Sequence, residues 1–147
     1  MRLTGEYTFD APRETVWEIL NDPEVLKKHM PGCEKLEPLG DDQYEAVISL
    51  GVSAIKGTYK AKLDIRDKVA PESYSLHVDG SGKPGFVKGS GNVTLEDHGG
   101  QTRLKYDGEF QIGGMIARVG QRMVKSVADR LTRQFFQELG GEAEQRK

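Results

Sequence analysis

Among side chains able to act as nucleophiles, bases or metal ligands, this 147-residue chain carries one cysteine, Cys33, and three histidines, His29, His77 and His98. Such scattered residues give no spacing that holds a metal. Cys33 follows His29 by four residues, a step that could pair a thiol with a base. Pro31-Gly32 between them breaks the helix that pairing would need. His98 belongs to the polar turn Asp97-His98-Gly99-Gly100, and His77, between Leu76 and Val78, faces outward. Gly80-Ser81-Gly82 and Gly89-Ser90-Gly91 have the composition of phosphate loops, but neither stands between a strand and a helix start. The remaining polar groups of interest are the phenols of Tyr7, Tyr44, Tyr59, Tyr74 and Tyr106. Set in an apolar lining, they suit a ligand with an apolar body and a few oxygens. The alternative is that they bond one another, or water at a rim. No catalytic set emerges, and the expectation is a protein that is not an enzyme and uses no cofactor or metal.

The elements that must position these phenols are mostly strands. Leu3, Gly5, Tyr7 and Phe9 alternate with polar residues at the period of a half-buried strand. Six further strands follow at meander spacing, over 33–39, the least periodic, and then 43–50, 57–66, 72–80, 87–95 and 102–112, where the alternation recurs. One wet face and one apolar face mark an antiparallel sheet. Asp10-Ala11-Pro12 ends the first strand and starts a short helix, and Asn21-Asp22-Pro23 breaks it and caps a second, Glu24 to His29. From Gly113 to Leu139 the apolar positions Ile116, Val119, Gly120, Met123, Val124, Val127, Leu131 and Phe135 recur at helical steps. They predict one amphipathic helix over 115–139, with Arg118, Arg122, Lys125, Asp129 and Arg133 opposite and Met115 and Phe136 off the stripe. The fold class is therefore α+β: a seven-stranded antiparallel curved sheet around a long C-terminal helix, with two short helices after the first strand. Residues 1–140 form the expected single domain and 141–147 a polar tail.

Gly5, Gly57, Gly89, Gly91 and Gly108 fall on the inward face, where a core needs filling. They mark bends or close approaches, and they also leave room for a cavity between sheet and helix. The expected ligand-contacting set is Tyr7, Tyr44, Ile48, Tyr59, Leu63, Leu76, Val78, Val87, Gly91, Val93, Tyr106 and Phe110 from the strands, with Ile116, Val119 and Met123 from the helix. Alternate loops of the meander collect at one end, where Met30, Val52, Ile55, Phe86 and Met115 occupy tips that ought to be polar. That apolar cluster reads as a cavity mouth, or as a plug folded back onto the core. Lys56, Lys83 and Lys88 stand beside it. The opposite end has polar turns.

Charged residues make up 30% of the chain, hydrophobic ones 36%, and the formal net charge is −2. That balance argues against nucleic acid as a partner. The single cysteine suits a reducing compartment, and no apolar run reaches the ~18 residues of a membrane span. The expected location is cytoplasmic, with peripheral contact at the inner membrane face left open.

Met30-Pro31-Gly32-Cys33-Glu34, Ile55-Lys56-Gly57-Thr58-Tyr59, Gly85-Phe86-Val87-Lys88-Gly89-Ser90-Gly91, Gly113 to Arg122, and Gln134-Phe135-Phe136 together resemble the CoxG family of carbon monoxide dehydrogenase proteins. That family belongs to the helix-grip, START-like (SRPBCC, Bet v 1-like) superfamily. The resemblance implies an accessory to a molybdenum-containing CO dehydrogenase or related hydroxylase. The implied role is assembly, membrane recruitment, or carriage of a lipid or quinone. Many members continue into a linker and apolar anchor; this sequence stops after a polar tail, so no permanent anchor is expected. Three classes stay open: a carrier, an assembly or recruitment factor without a functional ligand, and a cyclase or dehydratase using tyrosines as acids or bases.

Overall fold

The computed structural model describes residues 1–51 and 55–146. Strands β1 (Arg2–Phe9), β2 (Cys33–Gly40), β3 (Gln43–Leu50), β4 (Gly57–Val69), β5 (Ser73–Gly82), β6 (Gly85–His98) and β7 (Gln101–Gly113) form one antiparallel sheet. Its spatial order is β1-β7-β6-β5-β4-β3-β2. β2 to β7 follow one another as a meander, and β1 returns to pair with β7 from Arg2↔Glu109 to Phe9↔Thr102. The alternation in β1 and β4 translates directly into burial. Tyr59, Ala61 and Ile65 are buried on β4, while Thr58, Lys60 and Lys62 are exposed.

Helices α1 (Arg13–Leu20) and α2 (Pro23–His29) bridge β1 to β2. Pro12 is the N-cap of α1. Asp22 caps α2 as anticipated, accepting the Glu24 N–H at 3.0 Å, which satisfies one of the donors a helix start leaves free.

The C-terminal helix corrects the sequence reading. Residues Gly114–Val119 form a 3-10 helix, and the α-helix, α3, runs Gln121–Gln145. The break is Gly120, whose φ of +94° lies outside the right-handed helical region. A 3-10 turn repeats every three residues, so Ile116 and Val119 mimic the spacing of the α-helix that follows. Residues 141–145 of the expected polar tail instead belong to the end of α3. Ala143 there is fully buried, as is Leu139 one turn earlier. Phe136, read as off the stripe, packs in the core at 7% exposure, whereas Met123 is 47% exposed.

The main core lies where the second half of α3 meets α1, α2 and the sheet. It joins Phe9, Val16, Ile19, Leu20, Val25, Leu95, Leu104, Phe136 and Leu139. Phe136 sits among aromatic neighbours, 5.5 Å from the Tyr106 ring and edge-on to Phe9 at 6.4 Å. Burying a side chain such as Phe9 or Phe136 contributes about 1.5–3 kcal/mol. This half of the molecule is filled; the half around the start of α3 is not.

Candidate ligand cavity

Between the first half of α3 and the sheet lies a cavity of about 260 Å³, partly open to solvent. β3 supplies Ile48 and Leu50, β4 supplies Tyr59 and Ala61, and β5 supplies Val78 and Gly80. Val87, Phe110 and Ile112 come from β6 and β7, and Leu3 from β1. The helical wall is Val124, Val127, Ala128 and Leu131, spaced so that successive turns face the sheet. Ile55 and Ile116 cover the end. Among the described residues its accessible wall presents no polar atom. The one phenol on the wall, Tyr59, donates a 2.6 Å hydrogen bond to the Ile55 carbonyl, and burial pushes its pKa up. Its proton is therefore committed to the protein.

The structure brings together Ile48, Tyr59, Val78, Val87, Phe110 and Ile116 from the expected contact set. The others lie elsewhere. Tyr7, Tyr44, Leu76, Val93 and Tyr106 pack against the aromatic core, and Tyr7 and Tyr106 also border a separate hollow of about 210 Å³ with Lys125, Asp129 and Arg133 of α3. Burial, with the charge of Asp129 adding to it, raises the pKa of Tyr106. Tyr74 is fully in that core, with its pKa pushed up by burial. Leu63 is half-buried one step further along β4, and Val119 precedes the helix break. Gly91 does not border the cavity: a Cβ there would meet the Asp107 carbonyl oxygen at 3.0 Å and Gly108 Cα at 3.1 Å. The expected set lacks Leu50, Ala61, Gly80, Ile112, Val124, Val127, Ala128 and Leu131, all of which border the cavity. Most of them occupy the inward positions the alternation names, and Val124, Val127 and Leu131 lie on the stripe, whereas Ala128 does not.

The apolar loop end divides. Ile55 and Ile116 fold inward, 8% and 3% exposed, as a plug would. Phe86 and Met115 stay out, 37% and 63% exposed. The loops brace one another: the Ile116 N–H bonds the Pro84 carbonyl at 2.8 Å. Val52 lies outside the described residues. Met30 is half-buried at the C-cap of α2 and does not line the cavity. Its neighbour His29 faces Glu142 near the far end of α3, with Nε2 3.7 Å from Oε2, so this corner belongs to the helix junction. The Cys33 thiol is turned to the Lys35 carbonyl at 3.3 Å, and burial raises its pKa. It is therefore not paired with His29. Among the described residues no three His, Cys, Asp or Glu side chains gather as a metal site. Nor is any helix long and apolar enough to cross a membrane.

Charge is distributed unevenly between the two ends. Lys56, Lys83, Lys88, Arg118 and Arg122 surround the loops over the cavity. Asp41, Asp42, Asp67, Glu72 and Asp97 occupy the opposite hairpin tips, where Leu39 and Val69 are also exposed.

Residues 5–143 match the sequence profile of CoxG, the G subunit of carbon monoxide dehydrogenase. No curated protein matches the chain by sequence. Among solved structures, a conserved protein from Geobacillus kaustophilus is 36% identical, with a TM-score of 0.96 over 99% of this chain and 96% of its own. A START superfamily protein from Mycobacterium smegmatis superposes with a TM-score of 0.81 at 17% identity, covering 99% of both chains. The Zhui aromatase/cyclase from Streptomyces sp. R1128 does so at 0.75 and 19% identity, over 99% of this chain and 94% of its own. At such identities the last two establish the START-like fold.

Proposed function

This chain belongs to the CoxG family of carbon monoxide dehydrogenase proteins, and on that premise we propose that it is a non-enzymatic carrier of an apolar molecule, a lipid or quinone, serving a molybdenum-containing CO dehydrogenase or related enzyme. The observation that supports this reading is the cavity of about 260 Å³, whose accessible wall is apolar among the described residues. Apolar cargo gains roughly 25 cal/mol for each Å² withdrawn from water, and nothing on that wall demands a polar partner in return. The volume falls a little below the roughly 300–1,000 Å³ usual for small-molecule sites. It suits a compact ring system or a short hydrocarbon segment, and a long chain must project from it. Ile48, Val78, Val87, Phe110, Ile116 and Val127 are the proposed contacts.

Phe86 and Met115, with the surrounding cations, suit brief contact with an anionic membrane surface. Each lysine or arginine near such a surface contributes about 1 kcal/mol, so attachment is weak and falls with salt. Weak attachment suits a carrier that must leave again.

A cyclase or dehydratase on this fold would need a group at the wall that gives or takes a proton. Tyr59 offers a phenol already bonded to Ile55, with its pKa raised by burial, which favours carriage over catalysis. Solvent extraction of protein purified from its native cells, followed by mass spectrometry, tests the proposal. One apolar molecule per chain is the expected result. A protein that arrives empty and takes up no added quinone or lipid returns the account to an assembly or recruitment factor.

A further inference from the structure

A second hollow, a groove of about 490 Å³, lies where β7 runs past the start of β1. It shares Met1, Phe110, Ile112 and Val124 with the inner cavity. These four shared residues make the two hollows neighbours. On its outer side the groove is bordered by Phe86, Glu109, Gln111, Ala117, Gly120 and Gln121, and the Glu109 carboxylate is already paired with the N-terminal ammonium of Met1 at 3.3 Å. Ala117 belongs to the 3-10 helix and Gln121 opens α3, so this border is the junction between the two helices. Gly120 at that junction has φ +94°, and nothing lies within 4 Å of where its Cβ would be. The junction is held by local backbone bonds, Gly120 N–H to the Ala117 carbonyl at 3.4 Å and Val124 N–H to the Gly120 carbonyl at 3.2 Å. The 3-10 helix is held at its other end by Gly114, with φ +80°, and by the Ile116–Pro84 hydrogen bond.

We propose that this groove is the doorway of the cavity and the seat of the ligand's polar end, with the 3-10 helix moving about Gly114 and Gly120 as its door. The inference rests on the carrier reading above. Its ligand class is an elongated or ring-shaped apolar molecule with an uncharged, oxygen-bearing end. The apolar body passes Ile112 and Val124 into the cavity. The oxygen stays in the groove, where the side-chain amides of Gln111 and Gln121 can donate to it. This division also accounts for an inner cavity too small for a long molecule: the remainder lies in the groove. The doorway thus sits beside the helix junction, while Met115, at the tip of the loop, borders neither hollow.

Stopped-flow uptake of the neutral dye Nile red tests the doorway. Ala117→Trp places an indole in the groove from an exposed position without touching the cavity wall. It should slow uptake and release about tenfold, while Met115→Trp keeps the wild-type rate. Gln121→Trp, on the same rim, repeats the test if Ala117→Trp misfolds. Wild-type rates in the groove variants, or slowing confined to Met115→Trp, overturn the doorway while leaving the carrier reading intact. A wild-type protein that takes up no Nile red overturns both. For the polar seat, wild-type protein should take 1-naphthol over naphthalene by about fivefold, a hydrogen bond's worth of preference, and the Gln111→Leu/Gln121→Leu protein should lose it. Equal affinity for the two compounds in wild type refutes the seat.

Discussion

The ring of Phe110 lies across Gly89 on the neighbouring strand, so that a Cβ on Gly89 would fall 2.7 Å from Phe110 Cδ1. The same ring covers Gly108, two residues back on its own strand, at 2.7 Å from Cε2. The inward glycines of β6 and β7 are therefore not simply missing volume. Here they hold an aromatic ring flat against the sheet, and that ring is a wall of the cavity. Gly89→Ala would drive a methyl group into the Glu109 carbonyl and the ring. We expect it to cost about 1–3 kcal/mol, as overpacking usually does. It should also weaken apolar-probe binding by pushing Phe110 inward. Urea unfolding and Nile red titration of the one variant check both effects.

Cavity filling needs a different position from Gly91, which borders backbone. Ala128 on α3 faces the hollow, and Ala128→Leu should occupy it. The expected result is at least a tenfold loss of apolar-probe affinity, about 1.4 kcal/mol, with stability shifted by less than that. Equal losses of binding and stability would show that the cavity had already closed around its contents.

Tyr59→Phe separates structure from chemistry. It removes the hydrogen bond to Ile55 and should cost about 1 kcal/mol of stability. Binding of a neutral apolar probe should hold within a factor of about two, since the phenol's proton is not offered to the cavity. A large loss of binding with intact stability would assign the phenol to the ligand instead.

Membrane contact is tested at the exposed tips. Ile55 is unsuitable, because Ile55→Asp would bury a charge in the cavity wall. Phe86→Asp with Met115→Asp alters two exposed side chains, so the fold should persist. Transfer of an apolar probe from anionic vesicles should slow about tenfold and lose most of its salt dependence. Transfer at the wild-type rate would remove these tips from any membrane encounter.

Much of this architecture is legible in the chain. Period-two alternation marks the strands, most cleanly β1 and β4 and least β2, and Pro12 and Asp22 mark the short helices through the chemistry of helix starts. The last helix is harder. Gly113 to Val119 continues the apolar rhythm into α3, so the break at Gly120 is hidden by spacing that a 3-10 turn shares with an α-helix. Its far end is hidden for the opposite reason. α3 comes so close to β1 there that a Cβ on Gly140 would fall 2.8 Å from the Tyr7 hydroxyl, so the contact is made by small residues, Gly140 and Ala143. They carry no hydrophobic signal of their own. The division of the interior into a filled half and a hollow half depends on where along its length the helix meets the sheet, which no single strand's pattern encodes. For that reason the alternation assigns the tyrosines to the cavity when most of them belong to the core.

Ala143 gives that argument a direct test. A charge at this fully buried position, as in Ala143→Asp, should cost at least about 3 kcal/mol. Thermal melting checks it. An unchanged melting temperature would return residues 141–147 to a dispensable tail.

The central claim, that the hollow half of the interior receives an apolar molecule, is tested most directly by methyl-resolved NMR during titration with a neutral apolar compound such as naphthalene. The account predicts saturable shifts at the methyl groups of Ile48, Val78, Val87, Val127 and Leu131, while Leu95, Leu104 and Leu139 in the filled half stay in place. Shifts confined to the surface methionines Met115 and Met123, or no saturable shift at all, would contradict it.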